Sequence, residues 1–375
     1  MDNLISRILD LAVEIQQIPA PTFHEAARAD FVRRRFVQEG LSDVEVDDAG
    51  NVYARLPGLE SRPGLAAGSA QQLVVSAHLD TVFPVDVDLR IKREAERFLA
   101  PGIGDNSLGV AALFGLVWML HQRGLTLPGD LWLVADVCEE GLGDLRGMKA
   151  LVNRFGAGPL AYIVLEGLAL GHIYNRGLGV RRYRITIRTS GGHSWINFGQ
   201  PSAIHELVNL SSRIAALELP REPRTSLNIG VISGGSSVNT IAAEAMLELD
   251  LRSEDSEALE RLAGQVEQLA RQARKPGVKV EVLVIGQRPS GELPPKHPLV
   301  RLAQECLREV GLQPHLNTGS TDANLPLSLG LSAITIGLTT GGRGHTVHEF
   351  INTPPLEKGL KQLVNLVSRV WQAGE

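Results

Sequence analysis

The chain has 375 residues, 43% hydrophobic and 21% charged, the make-up of a globular protein too long for one compact core, so two domains are expected. A formal net charge of -5, with no basic block or aromatic-basic stripe, excludes a nucleic-acid surface. No apolar run approaches the roughly 20 residues that cross a bilayer, the N-terminus lacks a basic leader with a long apolar core, and the cysteines Cys138 and Cys306 make no disulfide framework, so a cytoplasmic protein without membrane partners is expected.

The first residues place Leu4, Ile8, Leu11 and Ile15 on one helical face. Pro19 and Pro21 interrupt that pattern, and a second helix over 24–40 stops at Gly40. A short strand pair follows around VEVD and NVYARL, then a surface loop over 58–68. The stretch LVVSAHLD, 73–80, is an apolar run ending in His78 and Asp80. It predicts a buried strand that delivers polar groups at its C-terminal end, where open α/β sheets bind ligands. In extended chain His78 and Asp80 face the same way, an arrangement that suits an imidazole metal ligand and a carboxylate that orients it.

A hairpin-like stretch spans 86–99, and PGIGDNS leads into LGVAALFGLVWMLHQRG, apolar on nearly every face. That predicts a buried helix starting near Ser107. The strand DLWLVADV runs into Cys138, Glu139 and Glu140, helical LRGMKALVNRF follows, and AYIVLEG ends in Glu166. This alternation predicts an α/β fold with a mostly parallel sheet flanked by helices. A fourth run, LSAITIGL, precedes a glycine-rich loop carrying His345 and His348, and a helix over 355–374 closes the chain. Between 180 and 288 the pattern becomes β-α-β-β-α-β, a small antiparallel sheet with helices on one face. The expected organisation is a first catalytic part, 1–179, an inserted domain, 180–288, and a second catalytic part, 289–375. There is no internal repeat or low-complexity tract.

Hydrolysis of an amide at neutral pH calls for an activated water, a proton shuttle and oxyanion stabilisation, and two bridged cations supply much of this. His78, Asp105, Glu140, Glu166 and His345, all at strand ends or in the loops after them, are the candidate ligands. Each has a plainer explanation on its own. Asp105 could stabilise a helix N-terminus, Glu139 and Glu140 could be a solvated loop, and His345 could be a simple loop residue. Glu166 is harder to explain so, because an acid ending YIVL would be partly buried without a partner. All of them landing at one sheet edge favours a site.

HLDTV (78–82), GIGDN (102–106), EEGLGDLRG (139–147), LEG (165–167), GGHSW (191–195), GSTDAN and GHTVHEFI resemble the di-zinc aminoacylase and carboxypeptidase superfamily of metallopeptidases. Its members include tripeptidase T, glutamate carboxypeptidase, acetylornithine deacetylase and succinyl-diaminopimelate desuccinylase. The ordered set covers nearly the whole chain. The resemblance implies that His78 and Glu166 bind one zinc, Glu140 and His345 the other, and that Asp105 bridges them, with cobalt or manganese as alternative metals. It makes Asp80 the partner orienting His78, and Glu139 the general base. His345 is favoured over His348 because the family pattern has an acid four residues on, here Glu349.

The same resemblance makes the insert a ferredoxin-like lid and dimerisation domain, so a homodimer is expected. His193 would help hold the substrate carbonyl oxygen, often in the partner subunit's site. Asn239 and Arg252 would contact substrate, a guanidinium being suited to a carboxylate. For Gly319 to Asn324 a turn and helix cap is expected, with substrate contact only by the backbone near Gly319. Asn106 and Ser107 depart from relatives that carry a lysine after the bridging aspartate. Cys138 reads as a small buried hydrophobe, and no serine-hydrolase elbow occurs.

The expected activity is zinc-dependent cleavage of an amide in a small peptide, as a tripeptidase-like exopeptidase. The alternative is an N-acyl amino acid deacylase of the acetylornithine or desuccinylase type. A non-catalytic scaffold of the same fold is the remote alternative, disfavoured because a scaffold has no need of clustered carboxylates.

Overall fold

In the computed structural model, which describes residues 2–61 and 71–372, the four apolar runs become adjacent strands. Asp130–Asp136, Gln72–His78, Pro159–Glu166 and Ala333–Gly337 lie side by side in that order and run parallel. Burial on both faces explains why these runs are continuous rather than alternating. Antiparallel strands Val52–Leu56 and Ser42–Val46 extend the sheet beyond Asp130–Asp136. On the other side His172–Gly177 pairs antiparallel with Ala333–Gly337, and carries Gly291–Glu292 and His315–Gly319. Of the loop expected over 58–68, residues 62–68 lie outside the described residues, as do the last residues of the expected closing helix.

Register decides where the polar residues emerge. His78 stands opposite Asp136, and Glu166 opposite Gly337, so the parallel strands end level and present their terminal side chains at one edge. Behind that edge the helix Leu108–Gln122 is buried from Leu108 to Leu120, packed against helices Asp2–Gln16 and Leu356–Arg369. By length and composition the helical stretch Ile103–Gln122 is apolar enough to cross a bilayer, which corrects the expectation that no run approaches that length. With 94% of it buried, it is the core helix of this unit.

The chain divides into two compact units, Met1–Gly177 with Gly291–Glu375, and Leu178–Ser290. The second is an antiparallel sheet in the order Thr225–Gly234, Glu244–Ser253, Gly179–Arg188, Lys279–Arg288. Strand alternation divides its faces. Tyr183, Ile185, Ile187, Leu247, Leu249 and Leu251 are buried with side chains of helices Ala203–Ala215 and Ser256–Gln272. The residues between them form a charge ladder, with Arg182 to Asp250 at 2.9 Å and Arg184 to Glu248 at 2.7 Å.

Candidate metal centre

Asp105 joins two clusters of potential ligands. Its Oδ1 lies 3.1 Å from His78 Nε2, and its Oδ2 lies 3.1 Å from His345 Nε2. Glu166 Oε2 is 3.9 Å from His78 Nε2, and Glu140 Oε1 is 3.2 Å from His345 Nε2. In each of the groups His78–Asp105–Glu166 and Asp105–Glu140–His345, one donor atom per residue lies within 4.8 Å of the others. The structure thus gathers the candidate ligands from five separate segments, and His345 rather than His348 belongs to the group. His345 and Cys138, both on the loops that carry this cluster, adopt φ of 64° and 60°. Such left-handed backbone in non-glycine residues concentrates at functional sites.

The electrostatics suit cations. Burial raises the Glu166 carboxyl well above its ordinary range, with Asp105, Glu139 and Glu140 adding to the effect and His78 opposing it. His345 is pushed up to about 10 by its hydrogen bonds to Asp105 and Glu140. Burial works against a charged His78, yet hydrogen bonds to Asp105 and Asp80 raise it well above 6.5. A carboxyl in the position of Glu166 holds onto its proton unless other positive charge is supplied. Imidazole and carboxylate donors in two groups that share one carboxylate fit a bridged pair of divalent ions.

Surrounding residues set the candidate ligands in place. His78 Nδ1 lies 3.0 Å from the backbone carbonyl of Asp80 and 3.5 Å from its carboxylate, so the carbonyl is the nearer partner. The Asp80 carboxylate instead accepts from the N–H groups of Glu139 and Glu140, each at 2.9 Å. Asp80 therefore shapes the turn bearing Glu139 as much as it orients the imidazole. Asn106 donates to the carbonyl of Leu165 at 2.8 Å and accepts from the N–H of Gly167 at 3.0 Å, clamping the backbone on either side of Glu166. Glu349 accepts from the N–H groups of Gly102, Gly104 and Asp105. Neither clamp follows from the motifs alone, although the placement of Asn106 directly after Asp105 is a signal for the first.

The expected turn over Gly319 to Asn324 is present, but the Asp322 side chain does not cap the helix that follows. It is fully buried, and its carboxyl faces that of Asp136, the two hydrogen-bonding to one another. The turn role belongs to Asn324, whose Oδ1 accepts from the Thr321 N–H at 3.0 Å. Gly319 lies on the strand paired with His172–Gly177, and a Cβ there would meet the Tyr174 ring at 2.6 Å. Cys138 is buried, and burial with Glu25 beside it pushes its thiol up to about 12, which makes it inert as a nucleophile.

The remaining candidates belong to the second unit. His193 pairs with Thr240 on a two-stranded ribbon, and the Ser194 N–H donates to the Asn239 carbonyl at 3.0 Å. His193 Nδ1 accepts from the N–H groups of Trp195 and Ile196 at 3.2 and 3.4 Å. An accepting Nδ1 puts the proton of the neutral ring on Nε2 as a donor. Trp195 and Phe198 on this loop are 85% and 90% exposed. Arg252 sits elsewhere, on the strand Glu244–Ser253, with its Nε donating to Asp250 at 2.7 Å.

Residues 74–370 match the model of peptidase family M20/M25/M40. A succinyl-diaminopimelate desuccinylase from Gluconacetobacter diazotrophicus is 26% identical over 72% of this chain and 73% of its own. Among solved structures, a tripeptidase from Staphylococcus aureus superposes with a TM-score of 0.81 at 22% identity, over 99% of both chains. The Bacillus subtilis YXEP protein, described as a dinuclear metal binding peptidase from the M20 family, gives 0.69 at 17% identity over 100% of both chains.

Proposed function

Because the chain belongs to peptidase family M20/M25/M40, we propose that it is a di-zinc hydrolase cleaving an amide bond of a small peptide, as a tripeptidase-like exopeptidase. The observation that carries this reading is the sharing of Asp105 between two ligand groups. His78, Asp105 and Glu166 would hold one ion, and Asp105, Glu140 and His345 the other. Zinc is the proposed metal, with cobalt or manganese able to occupy the same donors. Two such ions, when bound, lower the pKa of a shared water towards about 7 and offset negative charge on the oxyanion.

Glu139 is assigned to no ligand group, and the turn that carries it is held by Asp80. It takes a proton from the attacking water and returns it to the departing amine nitrogen. His193, with Nε2 as donor, holds the carbonyl oxygen of the substrate, in its own or a partner subunit's site. Asn239, Arg252 and the backbone near Gly319 bind the rest of the substrate, and Arg252 would exchange its pairing with Asp250 for a substrate carboxylate. The inserted unit serves as lid and dimerisation domain. A cytoplasmic location accords with two cysteines that are both free.

A second reading, N-acyl amino acid deacylation, is supported by the likeness to a desuccinylase. One screen separates the two. Di- and tripeptides, some blocked at the amine and others at the carboxylate, are assayed beside N-acyl amino acids in zinc, cobalt or manganese. Cleavage that requires a free peptide amine supports the exopeptidase, and cleavage of N-acyl amino acids alone supports the deacylase. No turnover of any substrate with any of these metals overturns both.

A further inference from the structure

The segment between the first two helices reaches the site without supplying a ligand. Thr22 Oγ1 donates to Asp80 Oδ2 at 2.8 Å, the oxygen that also takes the Glu140 N–H. Glu25, buried, accepts from the N–H groups of Phe23 at 3.0 Å and Cys138 at 3.1 Å. Arg28 is 1% exposed. Its Nη1 donates to the Leu79 carbonyl at 2.7 Å, and its Nε and Nη2 donate to the Ile18 carbonyl at 3.0 and 2.6 Å. The Thr81 N–H donates to the Ala20 carbonyl at 2.9 Å. Every residue from Leu79 to Thr81, and the turn from Cys138 to Glu140, is therefore tied to the stretch 18–28.

From this geometry we propose that Thr22, Glu25 and Arg28 are positioning residues that align the His78–Asp80 strand end with the Glu139–Glu140 turn. The segment acts as a clasp between two loops that belong to different strands. Those strands pair through their backbones only as far as His78 and Asp136. Beyond that point the ladder gives way to the single bond from the Leu79 N–H to the Asp136 carbonyl at 2.7 Å, so side chains must fix how the loops face one another. Arg28 suits the task because its planar fork binds two carbonyls in a set geometry. A buried guanidinium left without these acceptors would be costly, and burial lowers its pKa to about 10 even beside Asp80 and Glu25. Thr22 is the finest probe, since it touches Asp80 through one hydroxyl that valine lacks at nearly equal volume.

The inference rests on the metal-dependent reading above, and its test measures binding as well as turnover. In full-length protein, Thr22→Val is expected to weaken Zn²⁺ affinity about tenfold, the scale of lost outer partners at metal sites. Competition against a chelating dye reads this directly. The visible absorption of the Co²⁺-loaded variant should change, kcat should fall more than KM rises, and Thr22→Ser should restore all three. The metal-free thermal midpoint of Thr22→Val should match that of the parent. Parent-like zinc affinity and cobalt spectrum in Thr22→Val overturn the inference alone. Loss of affinity that tracks a lowered metal-free midpoint in both variants gives the segment a purely structural role and also overturns it. A parent protein that takes up neither zinc, cobalt nor manganese removes the proposed function as well.

Discussion

Glu349 accepts a hydrogen bond from the backbone N–H of Asp105 at 2.9 Å, and the same oxygen takes the Gly104 N–H at 2.7 Å. The other oxygen takes the Gly102 N–H at 3.2 Å. One buried carboxylate thus gathers the loop that presents Asp105, the residue common to both candidate ligand groups. Gly102 is in the left-handed region at φ 70°, a conformation that glycine adopts without strain.

Replacing Glu349 by Ala leaves those N–H groups buried without acceptors, a loss of about 1–3 kcal/mol for each that water cannot reach. The expected outcome is a metal-free protein less stable by at least ~2 kcal/mol, with zinc affinity lower by about 10- to 100-fold because Asp105 is no longer held. Urea unfolding and chelator competition measure the two effects separately. Parent-like zinc affinity in this variant would show that Asp105 needs no such support.

Glu139→Ala should lower kcat by about 10²- to 10⁴-fold, the range for loss of a positioned general base, while both metal equivalents stay bound. The backbone N–H that Asp80 accepts from is retained in this variant, so the neighbouring Glu140 should keep its place. Metal analysis beside steady-state kinetics checks this. A variant that keeps full turnover removes Glu139 as the base.

The candidate ligand groups are legible because their placement is one-dimensional: an apolar run ends, and the polar residues after it emerge at the sheet edge. That holds for His78, for Glu139 and Glu140, and for Glu166, and the level register of the parallel strands does the rest. The clasp was not legible. Arg28 shares its helix with Arg33, Arg34 and Arg35, and only Arg28 is buried, a distinction made by the carbonyls of Ile18 and Leu79 and not by helical periodicity. GSTDAN forms the turn its chemistry implies, with Asn324 accepting from the Thr321 N–H, but the buried pairing of Asp322 with Asp136 is set by tertiary packing that a local motif does not record. The core helix reaches membrane length because the helical segment Ile103–Ser107 precedes the apolar helix Leu108–Gln122, which the residues Asp105 and Asn106 hide in the sequence.

Chelation should abolish turnover and lower the thermal midpoint together, with zinc, cobalt or manganese restoring both. Without bound cations, Asp105, Glu140 and Glu166 crowd together around His78 and His345. An ion at 100 times its Kd adds about 2.7 kcal/mol to stability, so calorimetry in rising zinc should show a midpoint that climbs with concentration. A midpoint indifferent to zinc would contradict binding at this cluster.

The buried pair Asp136 and Asp322 gives the pH dependence a sign. Burial raises Asp136 to about 6, and burial with Asp136 and Glu139 nearby raises Asp322 well above 3.8. Both folded values exceed those of the unfolded chain, so folding favours the protonated pair. The associated stability is full below the unfolded value and is lost as pH rises through about 6 and beyond. In Asp322→Asn the amide donates to Asp136 and carries no charge. The variant should therefore gain on the parent as pH rises through about 6. Urea unfolding of metal-free protein on either side of that pH decides it, and parallel stability curves would mean that the two carboxyls do not share a proton.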